Sequence, residues 1–328
     1  MTQGKRESWR RRAGAFLTDG FFQGSSDIGR RLPLADPARH HVEVIRDIAY
    51  RDGGLAEHRL DIYRPAGQTG PWPVALYLHG GAFRILSKDT HWLFGLIFAR
   101  RGYLTINASY RLAPDHPYPA AHEDAAAALL WTLREVSRFG GDPARLVIAG
   151  ESAGANLATS LAVASAWRRP EPWAREVFDA GAHPGAVMAA CGVLQVSDTD
   201  RFRRAGGISW FTLDRLAEME DAYLPDGPPD SPRPSLCDPL LVLERAGAPE
   251  RPLAPFFAPV GGWDVLKDDT RRLSEALDRL GVPCEPRYFP REIHAFHAFI
   301  FRKPARRCWT ETFEFLHRHV PAAGTGPG

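Results

Sequence analysis

Residues 145–156 read RLVIAGESAGAN and place a serine between two glycines at the end of an apolar run. The apolar residues before Gly150 predict a buried strand, and the alanine-rich run behind Gly154 predicts a helix. A G-x-S-x-G at such a junction forms a tight bend, because side chains at the glycines would collide with neighbouring backbone. The bend exposes the hydroxyl of Ser152 beside the free N–H groups of the helix start. Ser152 is therefore a candidate nucleophile, and a serine that only caps the helix is the alternative interpretation.

Apolar runs rich in β-branched residues alternate with helical patterns along most of the chain, which indicates an α/β fold with a parallel sheet covered by helices. Residues 42–50 and 59–63 flank Asp52-Gly53-Gly54, a turn signal that predicts an antiparallel hairpin. Further strands are predicted at 73–78, 103–107, 146–149, 186–193, 255–260 and 285–289. Helices are predicted at 123–139, 268–280 and 309–319.

Two regions interrupt this alternation, and we expect them to form a helical cap over one edge of the sheet. They are an N-terminal arm, residues 1–39, and an insertion, residues 197–239. Both contain aromatic residues that are expected to line a pocket, namely Phe16, Phe21, Phe22, Phe202, Trp210 and Phe211. Packing of these aromatics into a minor helical layer is the alternative. The core then comprises residues 40–196 and 240–320, and residues 321–328 read as a flexible tail.

Composition narrows the class of ligand. The 328 residues are 44% hydrophobic with a formal charge of +2, which allows a large core and gives no charge excess for nucleic acid or lipid headgroups. A small ligand of neutral or mixed charge is expected. The four cysteines have no C-x-x-C spacing, so neither a zinc site nor a disulfide framework is predicted. No apolar run approaches membrane-spanning length and the N-terminal apolar run is too short for a signal peptide, so we expect a cytoplasmic protein.

A second glycine-rich motif, HGGAF at residues 79–83, follows the predicted strand 73–78. Bare glycines let main-chain N–H groups approach a ligand oxygen closely. The N–H groups of Gly80, Gly81 and Ala82, together with that of Ala153, are therefore candidates for binding a developing oxyanion. An ordinary glycine turn is the alternative.

A serine hydroxyl is a weak nucleophile at neutral pH, so it needs a nearby base and a carboxylate that orients that base. Both are expected after Ser152 in the chain, the acid before the histidine. Asp264 directly follows the predicted strand 255–260 and is the leading candidate for the acid. Asp268 and Asp269 lie in the first turn of the next helix, where stabilisation of the helix end explains them.

Two histidines compete as the base, because both His294 and His297 precede Ala-Phe in the loop beyond the last strand. We favour His294, which lies nearer the strand end. His297 stays open either as the base or as a residue that lines the pocket. Other histidines, at 183, 317 and 319, are expected on the surface.

Five motifs together make the chain resemble the hormone-sensitive-lipase-like carboxylesterases over about residues 73–297. They are HGGAF (79–83), YRLAPDHPYPAAHED (110–124), GGDPARLVIAGESAGAN (140–156), GGWDVLKDD (261–269) and HAF (294–296). The resemblance implies the α/β-hydrolase fold, with a mostly parallel eight-stranded sheet flanked by helices and a helical cap. It also implies a Ser152–Asp264–His294 triad, an oxyanion hole at Gly80, Gly81, Ala82 and Ala153, and no metal or organic cofactor.

The chain departs from the family pattern at three positions: Ala82 where a third glycine is usual, Glu151 where aspartate is usual, and Val265 where proline is common. The expected activity is hydrolysis of small to medium carboxylic esters through an acyl-enzyme. An amidase, deacetylase or thioesterase on the same triad, or a non-catalytic ligand-binding protein, are the alternatives. The sequence allows a homodimer paired through its C-terminal helix but contains nothing that selects it.

Overall fold

The computed structural model describes residues 33–229 and 234–320, preceded only by Gly20, Gly24 and Gly29. One eight-stranded sheet has the order β1-β2-β4-β3-β5-β6-β7-β8. Its strands are β1 Val42–Ala49, β2 Arg59–Pro65, β3 Trp72–Leu78, β4 Leu104–Ala108, β5 Gly141–Glu151, β6 Ala186–Ala190, β7 Phe256–Gly261 and β8 Cys284–Phe289. Strand β2 is antiparallel to β1 and β4, and the remaining pairs are parallel. The predicted entry hairpin and mostly parallel sheet are confirmed.

Helices cover both faces of this sheet. They are α1 Trp92–Ala99, α2 Ala120–Glu135, α3 Ala153–Ala166, α4 Pro172–Asp179, α5 Asp200–Ala205, α6 Trp210–Tyr223, α7 Pro239–Arg245, α8 Lys267–Arg279 and α9 Lys303–His319. Alternate side chains of β3 point to opposite faces, as the pleat requires. Leu76 packs with α2 and α3 in one apolar cluster, whereas Tyr77 packs with Phe94 of α1 and Phe313 of α9 in another.

Four connections that carry the candidate site leave the carboxyl ends of β3, β5, β7 and β8. In open α/β sheets, parallel strands present their carboxyl ends at one edge, where ligands bind. The topology therefore gathers residues from widely separated parts of the chain. Strand β6 ends at Ala190, earlier than predicted, because Cys191 adopts a left-handed φ of 39° that interrupts the extended backbone.

The insertion, residues 197–239, contributes α5 and α6. Trp210 and Phe211 are 72% and 50% exposed and are not among the described residues that line the cavity containing Ser152, so the expectation that they line a pocket together with the arm stays a prediction. Phe202 is buried. The aromatics of the N-terminal arm and the predicted tail lie outside the described residues. The cap boundaries stay a prediction.

Asp269 does more than stabilise the start of α8. Its buried carboxylate accepts hydrogen bonds from the backbone N–H of Leu194 at 2.9 Å and Gln195 at 3.2 Å, and pairs with Arg201 of α5 at 2.8 Å. The carboxylate therefore connects α8 to the insertion, which the sequence pattern did not reveal. Within the part of the chain that the structure describes, no helix is both long and apolar enough to cross a membrane.

Candidate active site

Ser152 occupies the bend between β5 and α3 with φ 52° and ψ −116°, a region that non-glycine residues rarely adopt. Its N–H donates to the carbonyl of Ala190 at 2.9 Å, which holds the bend in place. A Cβ at Gly150 would lie 2.3 Å from the carbonyl oxygen of Gly154, and one at Gly154 would lie 2.0 Å from that of Leu78. Both glycines are therefore required. The Ser152 hydroxyl makes no capping hydrogen bond, so the interpretation as a helix cap is wrong.

Asp264 and His294 are in direct contact. The Nδ1 of His294 lies 2.8 Å from Oδ2 of Asp264, and the other carboxylate oxygen accepts the N–H of Leu266 at 2.9 Å. The Asp264 side chain is fully buried, whereas that of His294 is 41% exposed. A carboxylate accepts the Nδ1 hydrogen, which leaves Nε2 as the acceptor nitrogen.

Charge on Asp264 changes the acid–base behaviour of the ring. Burial alone lowers the pKa of His294, but the ionised Asp264 carboxylate outweighs burial and raises that pKa above the usual 6.5. Ser152 and His294 line one cavity of about 300 Å³, together with Gly81 and Ala82 of the glycine loop. The structure thus brings the three candidate triad residues and part of the candidate oxyanion hole to one place.

The glycine loop has an unusual backbone and lies at the cavity that contains Ser152. Gly81, Ala82 and Phe83 have φ values of 113°, 55° and 59°, and a Cβ at Gly81 would lie 2.1 Å from the Ile85 carbonyl oxygen. The N–H groups of Gly81, Ala82 and Ala153 make no hydrogen bond to any residue that the structure describes. Such free donors suit a developing negative charge.

His79 supports this loop as a neutral residue. Its Nδ1 donates to the carbonyl of Gly80 at 2.7 Å, and its ring stacks on Tyr110 with centroids 4.1 Å apart. Burial lowers the pKa of His79 to about 3, so the imidazole stays uncharged at neutral pH. Tyr110 also donates its hydroxyl hydrogen to the His79 carbonyl at 2.7 Å.

His297 lies away from Asp264 and contacts Glu151 instead. Its Nε2 lies 2.7 Å from Oε2 of Glu151, and Nε2 of His91 lies 2.9 Å from the other oxygen. All three side chains are buried. Burial alone raises the pKa of Glu151, but the adjacent imidazoles of His297 and His91 outweigh it and lower that pKa well below its usual range. Sequence reasoning missed this cluster; its one signal was the second HAF together with glutamate beside the nucleophile.

One set of potential metal ligands occurs among the described residues: Cys191, Asp264 and His294, whose ligand atoms lie within 4.8 Å of one another. Burial raises the pKa of the Cys191 thiol, so the thiol is a poor ligand at neutral pH until a metal displaces its proton. An ion there would occupy the histidine that the candidate triad needs as a base. The expectation that no cofactor takes part stays a prediction.

The sheet topology and the strained serine bend at the strand edge define the α/β-hydrolase class. A family model described as alpha/beta hydrolase fold matches residues 75–298. The carboxylic ester hydrolase LipN of Mycobacterium tuberculosis is 31% identical over 242 residues, and the alignment spans 71% of this chain and 59% of that protein. An acetyl-hydrolase of Streptomyces hygroscopicus is 33% identical, with 71% of each chain covered.

Among solved structures, esterase LipW of Mycobacterium marinum superposes with a TM-score of 0.66 at 26% identity, covering 96% of this chain and 88% of that chain. The chain belongs to the hormone-sensitive-lipase-like family of carboxylesterases, and is a carboxylic ester hydrolase by class.

Proposed function

We propose that the chain is a serine esterase that hydrolyses small to medium carboxylic esters through an acyl-enzyme on Ser152. One observation carries the proposal: His294 is held by Asp264 at 2.8 Å and shares a cavity with Ser152. The cavity of about 300 Å³ is at the small end of ligand pockets, which favours compact substrates.

In the acylation step, Nε2 of His294 takes the Ser152 proton as Oγ attacks the ester carbonyl carbon. The N–H groups of Gly80, Gly81, Ala82 and Ala153 are the proposed donors to the resulting oxyanion. His294 then gives its proton to the leaving alcohol as the C–O bond breaks. Asp264 stays ionised and stabilises the imidazolium.

Deacylation repeats these steps with water. His294 takes a proton from water, the hydroxide oxygen attacks the acyl carbonyl, and collapse of the tetrahedral intermediate returns the proton to Oγ of Ser152 and frees the carboxylic acid. One oxyanion donor typically contributes about 3 kcal/mol to transition-state stabilisation. The loop donors therefore contribute to the proposed rate in addition to the base.

Hydrolysis of amides, acetylated products or thioesters would use the same residues and differ in the leaving group. Since LipN is named a carboxylic ester hydrolase and LipW an esterase, we propose esters as the substrates. We also propose that the protein is cytoplasmic and that it can form a homodimer through α9.

Turnover of 4-nitrophenyl butyrate tests the proposal. We expect wild type and Ser137→Ala, a change at an exposed serine, to hydrolyse this ester, and Ser152→Ala to lose at least about three powers of ten in kcat. Equal circular dichroism and thermal midpoints would show that all three proteins fold. Wild-type turnover by the Ser152→Ala variant would refute the proposed nucleophile, and absence of turnover in wild type would favour the non-catalytic alternative.

A further inference from the structure

The wall of the cavity beside Ser152 includes two arginines, Arg84 and Arg215, and two carboxylates, Glu218 and Glu151, of which Glu151 contacts His91 and His297. Arg84 and Arg215 are 16% and 20% exposed, and both pair with the carboxylate of Glu218, which is 8% exposed. Inside the cavity wall, two guanidinium groups thus share one carboxylate. Arg215 pairs in addition with its neighbour Asp214, which does not line the cavity.

Arg84 has donor capacity that this pairing does not fill. It contacts Glu218 through Nη1, while its buried Nε–H has no hydrogen-bond acceptor among the described residues. A buried donor without an acceptor is costly, and a guanidinium suits a carboxylate held by two parallel hydrogen bonds. An anionic group entering the cavity would supply the acceptor that Arg84 lacks.

Backbone contacts fix Arg84 close to the reacting centre. Its N–H donates to the carbonyl of Gly81 at 2.9 Å, so the residue directly follows the loop that carries the candidate oxyanion donors. Helix α6 supplies Arg215 and Glu218 to the wall of the same cavity. The rest of the wall includes the apolar residues Ile85, Leu86 and Met219.

We propose that this cavity selects esters that carry a second, ionised carboxylate, separated from the scissile ester by a short apolar linker and bound by Arg84 with help from Arg215. The inference rests on the proposed esterase function and adds the substrate class. Glu218 neutralises part of the wall when no such substrate is bound, and it competes with the substrate carboxylate for Arg84. The preference for a carboxylate-bearing ester therefore depends on how strongly Arg84 binds the substrate carboxylate relative to Glu218.

Matched substrates separate charge from shape. On the acyl side, the probes are monoethyl adipate and ethyl adipamate, which differ only by carboxylate against primary amide. On the alcohol side, 4-carboxyphenyl butyrate and 4-carbamoylphenyl butyrate form the corresponding pair. The quantity measured is the ratio of kcat/KM for the carboxylate ester to that for the amide ester. Comparing this ratio between variants cancels the intrinsic reactivity of each leaving group.

In at least one pair we expect Arg84→Met to lower this ratio about tenfold or more, since it removes the charge-assisted hydrogen bonds. Glu218→Gln should raise the same ratio several-fold, because the competing carboxylate is gone. Arg138→Met and Glu135→Gln make the same charge changes in an ion pair remote from the cavity, in which Arg138 is 77% exposed, and should leave the ratio unchanged.

Opposite shifts in Arg84→Met and Glu218→Gln support the inference. An unchanged ratio in both pairs of substrates, or an equal loss on both members of each pair, would overturn it and would mean that Arg84 only shapes the wall. If wild type hydrolyses the two esters that carry a primary amide, the esterase proposal holds whether or not the ratio of kcat/KM values changes between variants. Failure of wild type to hydrolyse any of the four probes would count against both proposals.

Discussion

At the scale of single residues, Asp264 determines which ring nitrogen of His294 can accept a proton. Because the buried carboxylate accepts the Nδ1 hydrogen, Nε2 has no proton in the neutral ring and is the atom that accepts one from Ser152. The same carboxylate raises the pKa of His294, so the imidazolium persists to higher pH than in a free histidine. Orientation and basicity of the base thus have one physical source.

A pH profile tests this coupling. A raised pKa means that the base form is lost already as the pH falls through a value above 6.5, so kcat/KM of wild type should decline on an acid limb above that pH. Asp264→Asn should move the limb to lower pH and reduce kcat by about 10³ or more. Asp268→Asn, at a half-exposed carboxylate paired with Arg271, serves as the control. An unmoved limb in Asp264→Asn would contradict the account.

The two neighbouring histidines should separate into different phenotypes. His297→Gln removes the imidazole that lies against one oxygen of buried Glu151, and we expect the free energy of unfolding to fall by about 1–3 kcal/mol while turnover stays within tenfold of wild type. His294→Gln should abolish turnover, because the glutamine amide cannot take the proton of Ser152. Urea titration and 4-nitrophenyl butyrate turnover measure both effects. The reverse assignment of phenotypes would make His297 the base.

At the scale of elements, the strand–bend–helix unit depends on close backbone approach. Gly154→Ala would place a methyl group 2.0 Å from the Leu78 carbonyl oxygen, which forces β3 and α3 apart. We expect a loss of roughly 3 kcal/mol or more in unfolding free energy, or no folded protein. Gly247→Ala meets nothing within 4 Å and should be nearly neutral. Thermal denaturation compares the two variants, and a stable Gly154→Ala variant would show that the bend tolerates a side chain at this position.

Helices and strands whose apolar residues recur at a regular spacing were predictable from sequence, and those without such a spacing were not. All the predicted strands exist, and the helix predicted at 123–139 is α2 followed by a 3-10 turn, Val136–Phe139. Helix α1 escaped prediction because its residues, WLFGLIFA, are apolar on every side and show no stripe. Helix α9 begins at Lys303, earlier than expected, because the apolar stripe that indicated it starts later than its proline-containing first turn.

At the scale of the whole molecule, the site is built from segments that only the sheet topology brings together. The order of Ser152, Asp264 and His294 along the chain could be read from motifs. The contact of Glu151 with His91, 60 residues away in sequence, could not, nor could the pairing of Arg84 with Glu218 of α6. No spacing in the sequence indicates either pairing, because each depends on how a loop lies over the carboxyl ends of the strands.

The predicted cap also belongs to this scale. In the insertion, α6 rests on the glycine loop through Phe83 and Tyr223, whose rings stack with centroids 3.9 Å apart. Trp210, Phe211 and Trp263 are largely exposed, and exposed aromatic side chains of this size are typical of contact surfaces. We predict that deleting residues 1–32 lowers kcat/KM for 4-nitrophenyl octanoate several-fold more than for 4-nitrophenyl acetate. Equal effects on both esters would remove the N-terminal arm from the cap.

The central claim is that Ser152 is made nucleophilic by His294 beside preorganised N–H donors. Peptide mapping by mass spectrometry after reaction with a fluorophosphonate tests it most directly, because this reagent phosphonylates an activated serine and spares an ordinary one. We predict one adduct per chain, on Ser152, formed by wild type and His297→Gln and lost or greatly slowed in His294→Gln. A folded wild-type protein that gives no adduct, or an adduct on another serine, would contradict the account.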